Sequence, residues 1–128
     1  MSEYAGGART AYVTNATTAD TIGMSAAVNG VRPLRVGRDI YVQCRMSVAS
    51  ATVGIGVILH ESSGGTEPVG IAAPGPQTAT ATTLRDAAGS GDYWTQILIF
   101  DGGSAPHYEV RITTAPSSGN ADVYTWSI

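Results

Sequence analysis

Residues 38–48 read RDIYVQCRMSV and residues 52–60 read TVGIGVILH, and these two stretches decide the fold class. In the first, Ile40, Val42, Cys44, Met46 and Val48 alternate with Asp39, Tyr41, Gln43, Arg45 and Ser47. Successive side chains of a strand point to opposite faces, so one face is apolar and the other polar. The second stretch repeats the pattern with Val53, Ile55, Val57 and Leu59 on the apolar face. Its other face carries Gly54 and Gly56, bare backbone that a neighbouring segment can approach closely. Neither stretch has the i, i+3, i+4 stripe of an amphipathic helix.

The same period continues toward both ends. Residues 92–100, DYWTQILIF, are apolar on both faces: Tyr93, Ile97 and Ile99 on one, Trp94, Leu98 and Phe100 on the other. Such a strand requires cover on both sides. Residues 107–114 set Tyr108, Val110 and Ile112 against His107, Glu109, Arg111 and Thr113, and residues 121–128 supply a last, Trp-containing strand. Toward the N-terminus, residues 9–14 suit a short strand, and Ile22–Val28 and Val31–Val36 flank Asn29-Gly30, the dipeptide of a two-residue hairpin. Pro33 makes the return strand an edge or breaks it. Ala73-Pro74-Gly75-Pro76 is a hard break, and the Thr/Ala alternation after it suits a strand where two sheets or subunits come close, or a soluble edge. The expected architecture is all-β: one antiparallel, jelly-roll-like β-sandwich over residues 9–128, with eight or nine strands and little or no helix. A flexible arm, residues 1–8, precedes it. The expected core is Ile40, Val42, Cys44, Met46, Val53, Ile55, Val57, Leu59, Trp94, Leu98, Phe100, Val110, Ile112 and Trp126.

Charged residues make up 13% of the 128 residues, about half the usual quarter, which hints that other subunits cover part of the surface. All seven basic residues are arginines, and the net charge is -3, so no basic field exists to hold nucleic-acid phosphates. No apolar run approaches membrane-spanning length. The N-terminus, MSEYAGGART, has neither a basic nor an apolar region of a secretory signal, so synthesis in a cytoplasm is expected. Asn15-Ala16-Thr17 then matches a glycosylation sequon by chance. Cys44 is the only cysteine and is in step with the apolar face, which reads as a buried thiol.

Catalytic signatures are absent from the residue pattern. No serine sits in G-x-S-x-G, and no phosphate-binding glycine loop or calcium-loop spacing occurs. His60 and His107, each at a strand end beside an acid, Glu61 and Glu109, read as rim residues; a metal needs three or four convergent ligands. The expectation is a protein that is not an enzyme and has no cofactor. A sugar-binding module is the competing reading, with Trp94, Trp126, Tyr41 and Tyr93 as candidate stacking platforms, although both tryptophans also suit core or a subunit interface.

The C-terminal third carries a family cadence. GDYWTQILIFDGG (91–103) is followed by HYEVRITTAPSSGNADVYTWSI (107–128): an apolar strand ending in Phe-Asp-Gly-Gly, a V-x-I strand, a Ser-Gly turn and a final A-D-V-Y strand. Over residues 90–128 this resembles small β-sandwich virion proteins of tailed bacteriophages, capsid decoration (cement) proteins and some tail proteins among them. The resemblance implies a particle component made in the bacterial host cytoplasm and carried in the virion. It implies self-association, as a trimer in decoration proteins, and binding to the major capsid protein or another virion protein. It transfers no catalytic residues. The residues expected to meet other copies or a shell are Tyr4, Arg9, Tyr41, Arg45, Tyr93, Tyr108 and Arg111; a tail-associated or carbohydrate-binding host-recognition module is the alternative.

Overall fold

In the computed structural model, which describes residues 11–82 and 93–127, every regular element is a β-strand. In chain order these are β1 (Val13–Ala16), β2 (Arg32–Pro33), β3 (Asp39–Met46), β4 (Thr52–His60), β5 (Pro68–Ile71), β6 (Gln77–Thr80), β7 (Tyr93–Trp94), β8 (Leu98–Asp101), β9 (His107–Thr114) and β10 (Ala121–Ser127). They form two antiparallel sheets. Sheet A runs β1-β10-β3, with β7 and β8 both paired to the far side of β3; sheet B runs β2-β9-β4, with β5 and β6 both paired to the far side of β4. The segments number ten because two long edge strands are interrupted, one by the 73–76 break and the other between Trp94 and Leu98. Tyr4, Arg9 and the arm lie outside the described residues.

The alternation read from the sequence builds the core. Ile40, Val42, Cys44 and Met46 from β3 face Val53, Ile55 and Val57 from β4, with Val110 and Ile112 beside them, all buried. Leu59, near the end of β4, is only half-buried against this core. Val48 departs from expectation: β3 ends at Met46, so Val48 lies past the last pairing and is exposed. Tyr108 was expected at an interface and is instead 2% exposed inside the core, its hydroxyl hydrogen-bonded to Thr125.

One extra residue changes the reading of 92–100. Arg45 pairs with Trp94 and Val42 with Leu98, so three steps along β3 match four along its partner. Such a bulge reverses which face the following side chains take. Leu98 and Phe100 therefore point into the core, whereas Trp94 points outward beside Arg45. Tyr93, expected at an interface, packs half-buried against the core opposite Met46. Thr95 seals the bulge: its N–H donates to Cys44 O, its Oγ1 accepts from Cys44 N–H, and its carbonyl accepts from Gln43 Nε2.

The Thr/Ala stretch marks where the sheets close on each other. Ala79 and Ala81 are buried, Ala73 bridges to Asp101 and Ala81 to Thr95, and Gln77 Nε2 donates to Ile99 O. Only side chains of that size let the two edges approach this closely.

Residues 20–30 form no hairpin. Arg32–Pro33 is the one strand in this region, an edge strand as Pro33 demands, and the preceding chain lies as a strap across the outer side of sheet B. The bare backbone at Gly56 permits this, since a Cβ there would sit 3.0 Å from Ile22 Cδ1. Gly65, at φ +68°, receives the strap through the Ala27 N–H donated to its carbonyl, and a Cβ at Gly65 would lie 2.5 Å from Ala27 Cβ. Gly65→Ala is therefore expected to cost about 1–3 kcal/mol through the left-handed backbone alone, with the contact adding to it, read as a lower thermal midpoint.

Candidate functional site

The outer sides of the two sheets differ in kind. On sheet B, β4 and β9 turn His60, Glu109 and Arg111 away from the core, and the strap covers them. Arg111, another expected interface residue, is 0% exposed and cannot meet a partner. Its Nη1 donates to Thr21 O, Gly23 O and Ser25 Oγ at 3.0, 3.3 and 2.9 Å, and its Nη2 donates to Ser25 O and Ala26 O at 3.0 Å. Its Nε donates to Glu109 Oε1 at 3.0 Å. The other Glu109 oxygen accepts the Val28 and Asn29 N–H groups at 2.7 and 2.8 Å, and His60 Nε2 lies 2.9 Å from Oε1. Asn29, placed in a turn by the sequence, instead donates through Nδ2 to Asp20 Oδ2 and Val110 O. The strap's backbone is thus bound by side chains where a hairpin would have used a ladder.

Burial pushes the Glu109 carboxyl upward. The Arg111, Asn29, His60 and Val28 hydrogen bonds outweigh that and hold it below its ordinary value. His60 is sealed and bonded to Glu109, not to its sequence neighbour Glu61 as a rim residue would be. With both charges buried and their hydrogen-bonding capacity directed at the strap, this cluster holds structure in place and presents no surface to a ligand.

Sheet A has no strap over its outer side among the described residues. Cross-strand register arranges that side in rows: Asp122–Arg45–Trp94, then Tyr124–Gln43, then Trp126–Tyr41–Ile99, then Asp39–Asp101. Arg45 Nη2 donates to Asp122 Oδ2 at 3.0 Å, and its guanidinium stands 5.9 Å from the centroids of both Trp94 and Tyr124. Trp94 and Tyr124 pack at 5.2 Å with Ala11 against them, and both are buried. Tyr41 and Trp126 stack at 5.7 Å with 22° between rings and remain half-exposed. Ile99 is 51% exposed beside them.

Both tryptophans, expected in the core, therefore lie on this outer face, Trp94 because of the bulge and Trp126 because β10 pairs Val123 with Cys44 and so turns Trp126 to the side of Tyr41. Tyr41 and Arg45 lie on the same outer face. The face was half legible: the alternation in β3 assigns Tyr41 and Arg45 outward, but no sequence signal reports the extra residue that adds Trp94. Ile99 was recognisable only as one side of a strand apolar on both sides. The chemistry available here is apolar contact, ring stacking and hydrogen bonding at the margins.

Cys44 is fully buried, and burial, with Asp122 adding to it, pushes its thiol up to about 12. Under native conditions a thiol reagent is expected to leave it unmodified and to label it only once denaturant opens the domain, read as a mass shift. Among the described residues no three His, Cys, Asp or Glu side chains group to hold a metal, and no helix is long and apolar enough to cross a membrane. Comparison of the chain with protein-family models, curated proteins and solved structures gives no match.

Proposed function

We propose that this chain is a structural protein of a phage virion, a capsid decoration protein that self-associates and braces the head. The observation that carries the reading is the asymmetry between the sheets: one outer side is covered by the chain's own strap, while the other bears the half-exposed Tyr41–Trp126 stack and the exposed Ile99. An exposed apolar face of this kind marks a contact surface. The strand order supports the same reading. With β5 and β6 taken as one interrupted strand and β7 and β8 as another, the sheets interleave as two Greek keys do in a jelly roll, an architecture shared by viral capsid and lectin domains. The cadence of residues 90–128 points the same way.

Particles produced by cells carrying the gene test this by immunogold labelling and mass spectrometry. Label on heads is the expected result, label confined to tails moves the chain to the tail, and particles lacking the chain sink the reading. A second reading, a carbohydrate-binding module, is favoured by one observation, the stacked Tyr41–Trp126 pair. It requires glycan-array binding that disappears in both Tyr41→Ala and Trp126→Ala.

A further inference from the structure

Resting on the self-association in the reading above, we propose that a second copy of this chain docks on the outer face of sheet A as a two-fold pair, the Trp126–Tyr41–Ile99 row of one protomer against the same row of the other. The apolar row says that something covers the face; the charges at its end say what. Asp39 and Asp101 lie directly opposite each other across β3 and β8, one row beyond Tyr41 and Ile99. Like charges so placed repel unless a cation intervenes. Arg35 and Arg38 sit on the loop that enters β3, and that loop is tied to the same end of the sheet by the Gly37 N–H donated to Gly103 O.

All four side chains are exposed, and none makes an ion pair among the described residues. Val36, between the two arginines, is 69% exposed. The end of the sheet therefore carries two positive and two negative groups in one patch. A two-fold contact brings a patch onto its own copy, so it forms only where the patch complements itself. Here the arginines of one protomer meet the aspartates of the other, while the apolar rows bury each other. The threefold ring implied by the family resemblance would instead join two different patches head to tail.

Sedimentation velocity and light scattering on the full chain test the pair. The expected mass is twice 13.1 kDa. Ile99→Asp is expected to give monomers with an unchanged unfolding midpoint, because this side chain is exposed in the single copy. Arg38→Asp and Asp39→Arg are each expected to weaken the pair at least tenfold, about 1.4 kcal/mol. Mixing those two variants is expected to restore it, because each then meets its opposite.

A monomer at every concentration, a trimer, an Ile99→Asp variant that still pairs, or mixed variants that stay apart overturns the proposal. So does glycan binding by a monomer that Ile99→Asp abolishes. Failure here separates from failure of the particle reading. A monomer found on heads leaves decoration standing and removes the pair, and a solution pair absent from every particle does the reverse.

Discussion

Replacing Arg111 with methionine is expected to destabilise the domain by about 3–5 kcal/mol, the cost of breaking a buried ion pair by removing one partner. Methionine matches much of the volume but donates nothing. Four strap carbonyls, of Thr21, Gly23, Ser25 and Ala26, lose their guanidinium donor, and Glu109 stays buried with His60 and two backbone amides alone. A single domain is stable by only about 5–15 kcal/mol, so the loss is a large fraction of the total. Lysine does not repair it, because a compact ammonium cannot reproduce a planar fork reaching five acceptors and a carboxylate at once. Urea unfolding measures the effect, and hydrogen exchange localises it: the Val28 and Asn29 amides should lose protection before those of β3 and β4. A loss under about 1 kcal/mol would mean that the strap is held mainly by its apolar contacts, such as Ile22 over Gly56.

That network shows where sequence reasoning succeeds and where it stops. The alternation in β3, β4 and β9 fixes which residues face the core, because period two is a local property of the strand. Pro33 at an edge and alanines at a close approach are legible for the same reason, each being a steric statement about one position. What Glu109 and Arg111 bind is not local. Their partners in the strap lie at least 80 positions away, and pattern alone says only that two charged residues face away from the core. Asn29-Gly30 illustrates the same limit: the dipeptide permits a tight turn, but Glu109 offers its carboxylate to the amides at 28 and 29. The outer aromatic face was obscured by a single inserted residue between Trp94 and Leu98, which a parity count along the sequence cannot detect.

Acid should act on the domain through the same carboxylate. Glu109 titrates below its ordinary value of 4.5 in the folded protein, while in the unfolded chain burial and the Arg111 and amide hydrogen bonds are gone and the ordinary value returns. Between those two values the unfolded chain binds more protons than the folded one, so stability rises with pH there. The contribution is complete above about 4.5, declines as the pH falls toward the lower folded value, and is absent once both states are protonated. Plotting unfolding free energy against pH should therefore show an acid limb that begins near 4.5 and steepens below it. Glu109→Gln should flatten that limb while lowering stability at neutral pH by about 3–5 kcal/mol, because Arg111 is then buried without a countercharge. The strap amides at 28 and 29 report on the same event, since glutamine keeps one carbonyl oxygen where the carboxylate offered two. An acid limb unchanged in Glu109→Gln would assign the pH dependence to the exposed carboxylates instead, and the strap would then be held by Arg111 irrespective of its partner's charge.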